Sequence, residues 1–404
     1  MPTKEVINMS TFAEFGLPEA LQASLAAMHF TEPTPIQSET LPLTLAGQDV
    51  LATAQTGSGK TGAFSIPIVA RMLQQPTGTA LVLTPTRELA TQVYTVINQL
   101  LGRNGIRSVL LIGGEPLGRQ FRDLRYNPRI IVGTPGRIND HLDRGTLRLS
   151  ETQFLVLDET DRMLDMGFGI QIDQILKHVP KERQTMMFSA TLPPAILNMS
   201  QKYLRNPGRV EIGRANAPVS TVKQEVLRVS RSEKYDTLLK ELDKRVGSVI
   251  VFVRTKRSAD DLAERLCAAN HSADAIHGDL TQRRRDRAIR GFRAQHYRIM
   301  VATDIAARGL DIPHIAHVVN FDLPECPEDY IHRIGRTARA GAEGSALSFV
   351  LPEDGRKWSA IRRMLETGDL LEAHDRVHSR GFSGGVKPKK HAYGKRHSYG
   401  QRYR

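Results

Sequence analysis

Cysteine is almost absent from this chain: Cys267 and Cys326 are the only two among 404 residues. Two thiols exclude a disulfide framework and any all-cysteine zinc site, and they fit a reducing compartment. No apolar run reaches the ~18 residues that a membrane-spanning helix needs. The first ten residues lack the continuous apolar stretch of a secretory signal. A cytoplasmic protein is therefore expected, neither exported nor held in a membrane. Acidic residues are missing from the C-terminal stretch. Between Arg376 and Arg404 stand nine Lys or Arg and no Asp or Glu, so this stretch supplies +9 of the formal net charge of +13. Such an excess favours polyanionic partners, without separating RNA from DNA.

The length suffices for about two or three domains, each with its own apolar core. Short apolar runs recur between helix-like stretches at 49–54, 80–84, 109–112, 130–132, 154–157 and 185–188. Nearly all are unbroken rather than alternating, which suits a parallel sheet covered by helices on both faces; one such helix is expected over 86–102. A second series repeats the pattern at 248–253, 273–276, 298–302, 317–321 and 346–350. Two tandem α/β lobes are predicted, over 1–208 and 220–375. Between them, 209–219 carries Gly213 and Pro218 with little periodicity and is expected to be a flexible linker. Residues 376–404 are too poor in aliphatic side chains to fold alone, and disorder is expected there.

Ligands of parallel sheets bind at the carboxyl ends of strands. At one such end lies Ala54-Gln55-Thr56-Gly57-Ser58-Gly59-Lys60-Thr61, followed by a helical stretch. This is a phosphate-binding loop. Gly57 and Gly59 let backbone N–H groups converge on phosphate oxygens, Lys60 reaches the β and γ phosphates, and the Thr61 hydroxyl can bind Mg²⁺. Ala54 replaces the first glycine of the general pattern, so the strand–loop–helix context carries the assignment. The run 154–157 ends in Asp158-Glu159-Thr160-Asp161. Alone, this would read as a solvated turn; beside a phosphate loop, Asp158 suits Mg²⁺ and Glu159 the attacking water. Charge on the leaving γ-phosphoryl also needs cations. Arg333, Arg336 and Arg339 recur every third residue and are expected along one helical face, where the alternative is a solvated basic face.

Together these motifs resemble those of the DEAD-box RNA helicases, from about residue 12 to about residue 350. The resemblance implies two RecA-like domains, ATP and Mg²⁺ as cofactors, and RNA, single-stranded and duplex, as the partner. Phe30-Thr31-Glu32-Pro33-Thr34-Pro35-Ile36-Gln37 is similar to the family's adenine-reading motif, with Gln37 on the base edge, Phe30 stacked on it and Phe12 the upstream aromatic. A glutamine can pair bidentately with adenine, a reason for ATP over GTP. Thr56 and Ser58 belong to the nucleotide cradle. Ser189-Ala190-Thr191 is similar to the coupling motif, which works through Asp161, and His332 joins the same coupling set. Asp304 lies in a segment that touches nucleotide and RNA, Asp311 would hold the ribose, and Arg336 and Arg339 would be the arginine fingers. The implied RNA track comprises Arg87, Gly114, Thr134, Gly136 and Arg137 in the first lobe, and Arg254, Thr255, Gly278, Asp279 and Thr303 in the second. Small, hydroxyl and cationic residues suit phosphates and 2′-hydroxyls and leave the bases unread, so sequence-independent binding is expected.

Three positions depart from the family's usual letters: Thr160 stands for Ala, Ala338 for Gly, and His29 for a frequent Gly. Neither Thr160 nor Ala338 removes a charged group, but turnover and coupling between the lobes are what they bear on. The reading is of a monomer that separates RNA strands locally or remodels ribonucleoprotein partners as ATP closes the two lobes. An ATP-gated RNA clamp and a DNA-acting translocase are the alternatives from the same motifs. The basic tail, with Tyr393, Tyr399 and Tyr403 to stack on bases, reads as a nonspecific RNA tether. Deleting residues 376–404 should weaken RNA binding and flatten its dependence on salt, as measured by titration across salt concentrations.

Overall fold

The computed structural model describes residues 11–54, 57–212, 222–307, 312, 314–338 and 344–367. The apolar runs of the first half become β1 (Val50–Thr53), β2 (Thr79–Leu83), β3 (Ser108–Leu111), β4 (Ile130–Gly133), β5 (Thr152–Leu157) and β6 (Gln184–Ser189). Around them lie α1 (Glu19–Ala27), α2 (Pro35–Leu45), α3 (Lys60–Gln74), α4 (Arg87–Leu101), α5 (Leu117–Leu124), α6 (Pro135–Asp143), α7 (Thr160–Asp165), α8 (Gly169–Leu176) and α9 (Pro194–Tyr203). Neighbouring residues of one strand feed opposite cores: Val50 and Ala52 enter one cluster and Leu51 the other. That two-sided burial is why the strands read as unbroken apolar runs.

A seventh strand, β7 (Gly208–Glu211), pairs in parallel with β1. Residues 209–211, expected in the linker, therefore belong to the first sheet. An edge strand needs little apolar content, and only Val210 of this one is buried. All pairings are parallel, in the order β3-β4-β2-β5-β6-β1-β7. Because β5, β6 and β1 are adjacent, the acidic motif, the Ser189–Thr191 segment and the phosphate loop emerge side by side.

The second sheet contains β8 (Val222–Arg228), β9 (Ser248–Phe252), β10 (Ala273–Ile276), β11 (Ile299–Ala302), β12 (Ile315–Asn320) and β13 (Gly344–Val350). It is likewise parallel, in the order β10-β11-β9-β12-β13-β8. Its helices are α10 (Lys234–Lys244), α11 (Lys256–Ala268), α12 (Gln282–Arg293), α13 (Asp304–Ala307), α14 (Pro327–Ile334) and α15 (Gly355–Thr367). The edge strand β8 is mostly polar, and no apolar run announces it. Two parallel-sheet α/β lobes thus form as expected, and among the described residues no helix is long and apolar enough to cross a membrane. Residues 213–219 of the expected linker and the tail 376–404 lie outside the described residues.

One side chain ties three segments of the first lobe together. The Asp49 carboxylate accepts from Thr185 N at 2.8 Å and from Arg205 N at 2.7 Å, joining the starts of β1 and β6 to the approach to β7. Asp49→Ala should cost about 1–3 kcal/mol by orphaning buried N–H groups, read as an earlier urea midpoint of the first lobe. Asp49→Asn should recover part of that loss.

Candidate nucleotide site and inter-lobe cleft

Gly57 and Gly59 take φ of 87° and 98°, the left-handed region that favours glycine, and so turn the loop from β1 into α3. Close approach is a second requirement: a Cβ on Gly59 would lie 2.5 Å from Thr34 Oγ1 and 2.9 Å from Gln37 Nε2. Lys60 opens α3, is buried, and donates from Nζ to the Ala54 carbonyl at 2.8 Å. Gln37, expected at the base edge, is buried; Nε2 donates to Gly59 O and Oε1 accepts from Thr34 N, both at 3.0 Å. It therefore anchors the phosphate loop to the start of α2. Phe12 and Phe30 stack with centroids 6.3 Å apart and planes at 27°. Thr56 lies outside the described residues.

Asp158 and Glu159 are both buried at the end of β5. Glu159 sits at φ 51°, ψ 53°, a left-handed backbone that a non-glycine residue holds only where its surroundings enforce it. Its carboxylate pairs with the buried Arg162. Burial pushes the Glu159 carboxyl up, but Arg162, Lys60 and then Arg336 outweigh burial and hold it well below the usual carboxylate range. For Asp158 burial wins: despite the nearby charge of Lys60, and with Glu159 adding repulsion, its carboxyl is raised to about 7. A buried carboxyl short of compensating charge, within reach of the Lys60 charge at the phosphate loop, is chemistry that fits a divalent cation.

The neighbouring residues fasten this strand end to β6. Asp161 Oδ2 accepts from Ala190 N and Thr191 N, each at 3.0 Å, and from Thr191 Oγ1 at 3.2 Å. Ser189 Oγ donates to Thr191 O at 2.7 Å. Thr160, expected beside the metal carboxylates, turns its hydroxyl away from them and donates to the carbonyls of Leu157 and Phe188, at 3.1 Å each. The extra hydroxyl thus bridges β5 to β6.

In the second lobe the helical face expected for the three arginines is not formed. The helix α14 ends at Ile334, so Arg336 lies in the turn beyond it, where Gly335 follows the last helical residue. Arg333 is consumed internally, gripping Asp304 at 2.5 and 2.7 Å and donating to Asn320 and the Asp322 carbonyl. Asp304 is thereby committed to the same pair. Arg336 is buried and its charge acts on Glu159 of the other lobe. Ala338 and His29 take φ of 54° and 59°, so both replace glycine where glycine is at ease. Arg339 and Asp311 lie outside the described residues, and His332 is half-buried on α14 near Asp329.

A groove of about 440 Å³ between the lobes is lined by Arg87, Thr134, Gly136 and Arg137 on one side and Gly278 on the other. Gly114 sits so close to the Arg87 guanidinium that a Cβ there would overlap it. The other expected track residues lie outside this lining: Arg254 faces Glu325 at 3.3 Å, Thr255 caps α11, Asp279 pairs with Lys256 at 2.5 Å, and Thr303 is buried at the end of β11. The lobes touch directly through pairs that sequence reasoning missed. Arg87 donates to Gln282 at 2.8 Å, and Arg285 donates twice to Glu88 Oε1, at 3.0 and 2.7 Å. These partners are 195 and 197 residues apart, and no local signal links them. Arg162 was missed too, although its i, i+3 spacing from Glu159 could have revealed it.

The family model for the DEAD/DEAH box helicase matches residues 34–199, and that for the helicase conserved C-terminal domain matches residues 233–341. The chain is similar to the DEAD-box ATP-dependent RNA helicase CshA of Geobacillus kaustophilus, 46% identical over 86% of this chain and 74% of that one. CshA of Bacillus subtilis is 45% identical over 87% and 72%. Among solved structures it is similar to S. cerevisiae Dbp5 bound to RNA and ADP BeF3, with a TM-score of 0.81 and 33% identity over 88% of this chain and 94% of that one.

The raised Asp158 carboxyl has a consequence for stability. Its folded value of about 7 exceeds the unfolded value of about 3.9, so the nucleotide-free protein loses stability as pH rises through that window. Asp158→Asn should therefore raise the melting temperature at pH 8 by roughly 3 °C or more, and the gain should shrink toward nothing near pH 4.

Proposed function

Because the chain belongs to the DEAD-box ATP-dependent RNA helicases, we propose that it couples ATP binding and hydrolysis to local, sequence-independent separation of RNA strands. The observation that carries this reading is that the contacts of Arg87 with Gln282 and of Arg285 with Glu88 bring the lobe bearing the buried Arg336 against the lobe bearing Lys60, Asp158 and Glu159. A site divided in this way completes itself only when the lobes meet.

ATP phosphates would lie along Gly57 to Thr61, with Lys60 exchanging the Ala54 carbonyl for phosphate oxygens. The base would rest against Phe30, backed by Phe12, with its edge toward Gln37 and its ribose toward Asp311. Mg²⁺, held by Thr61 and Asp158, would neutralise charge developing on the phosphates. Glu159 would orient the attacking water. Its lowered pKa keeps it ionised, which suits orientation better than proton storage. Arg336, with Arg339, would stabilise the transferring γ-phosphoryl.

RNA enters the same geometry because each lobe supplies half of the track. Arg87, Gly114, Thr134, Gly136 and Arg137 would hold one stretch of backbone, and Arg254, Thr255, Gly278, Asp279 and Thr303 the next. Asp161, Ser189, Thr191 and His332 would pass the state of the nucleotide to that track. The hydrogen bonds from the Ser189–Thr191 segment to Asp161 support this, since they join the acidic strand end to β6. A strand held by both lobes must follow the closed cleft, and its complement then leaves. We place this activity in a cytoplasmic monomer that works on RNA or ribonucleoprotein. The test is RNA-stimulated ATP turnover. Glu159→Gln and Arg336→Ala should each lower it by roughly 10³-fold or more while RNA binding persists, and wild-type turnover in either variant would contradict the assignment.

A further inference from the structure

At the carboxyl ends of β8 and β13 the second lobe opens into a cavity of about 570 Å³, none of whose lining residues belongs to the nucleotide site or the expected track. Arg228 and Val350, the last residues of the two strands, form one side with Pro352; α15 forms the other through Trp358 and Arg362. The sheet is parallel, so the carboxyl ends of its strands share one edge. Arg254, expected in the RNA track, follows β9 on that same edge. At about 4.8 Å per strand, β13 stands about 10 Å from β9 across β12. A shared carboxylate links the two places: Glu325 Oε1 pairs with Arg254 at 3.3 Å and with Lys357, the residue before Trp358, at 2.6 Å. The cavity therefore lies beside the Arg254 end of the track.

Its chemistry is cationic and aromatic. Among the described residues no Asp or Glu lines it. Arg228 is exposed and has no ion pair among those residues. Arg362 pairs with Glu366 at 3.4 Å, an exposed contact that water and salt screen. Two further carboxylates near the rim are engaged elsewhere, Glu353 by Arg231 at 2.8 Å and Glu233 by Ser230. Trp358 is half-buried and meets Tyr330 in a T-shaped contact, so part of its ring is left to the cavity it lines. The expected track contains no aromatic side chain. Base stacking, which favours any base, thus has no platform there. A ring serving the core alone has no reason to line a recess shared with two guanidinium groups.

We propose that this cavity takes a nucleotide of the RNA strand beyond Arg254, with its base against Trp358 and its phosphates on Arg228 and Arg362. The inference rests on the RNA-helicase reading above. Stacking on a ring and contact with phosphate oxygens select no base, so the cavity would lengthen the RNA footprint without adding sequence preference.

Trp358 is the only tryptophan of the chain, so intrinsic tryptophan fluorescence reports on this cavity. The test titrates the full chain, with a non-hydrolysable ATP analogue present, using single-stranded RNAs of about six nucleotides, enough for the track alone, and of about twenty. The longer RNA should quench the tryptophan at least about threefold more than the shorter one, because only a base that reaches the ring can stack on it. The Arg228→Gln/Arg362→Gln variant should bind the shorter RNA within about twofold of wild type and the longer about fivefold more weakly, with a salt slope smaller by about 1.4, the share of two phosphate contacts on a single strand. Equal quenching by the two RNAs, or none by either, would overturn the proposal. So would a variant that binds the longer RNA as wild type does, or that loses both RNAs equally. Quenching by poly-glutamate and not by RNA would also overturn it, giving the cavity to an acidic protein segment. Failure of the wild-type protein to bind either RNA would instead defeat the helicase reading, and the cavity's role with it.

Discussion

Two carboxylates buried side by side at the end of β5 set the terms for everything around them. Like charges in a poorly hydrated site repel strongly, and each also loses its hydration. The chain resolves the conflict by treating the two differently. Glu159 receives Arg162, Lys60 and the reach of Arg336, and stays ionised; Asp158 is left undercompensated. The left-handed backbone at Glu159 separates their directions, and Thr160 and Asp161 fasten the strained turn to β6. Two neighbouring carboxylates thereby differ in charge state, one held ionised and one raised toward protonation.

The same electrostatics explains why two lobes are needed. The first lobe can seat phosphates with loop N–H groups and Lys60, and its Arg162 is already occupied by Glu159. The second lobe supplies Arg336 from a turn whose position depends on Arg333. That arginine is fixed among Asp304, Asn320 and the Asp322 carbonyl, so the ends of β11 and β12 carry the turn of Arg336 on a rigid base. Regularly spaced arginines thus divide their labour between building the lobe and reaching across.

Central strands, the phosphate loop and the acidic motif were legible in the sequence because each follows from a local rule: two-sided burial gives unbroken apolar runs, and phosphate binding needs glycine at positive φ. The edge strands β7 and β8 were not, since one-sided packing leaves them polar. Helix α4 fell where expected because Thr86 accepts from Leu89 N at its start and Gly102 closes its end. The arginine face failed because threefold spacing resembles a helical stripe, while the helix ends at Ile334, before Arg336. Gln37 was expected at the base edge, and its grip on Gly59, 22 residues distant in sequence, follows from no local rule. Glu88 with Arg285 lay further still beyond local inference, because such a pair exists only between folded lobes.

Direct contact between the lobes is made by guanidinium, carboxylate and amide groups, through Arg87, Glu88, Gln282 and Arg285. Apolar association weakens on cooling, whereas ion pairs and amide hydrogen bonds such as these do not depend on the hydrophobic effect. The equilibrium between apart and together should therefore vary gently with temperature, which would let the chain keep cycling in the cold, where base-paired RNA is hardest to open.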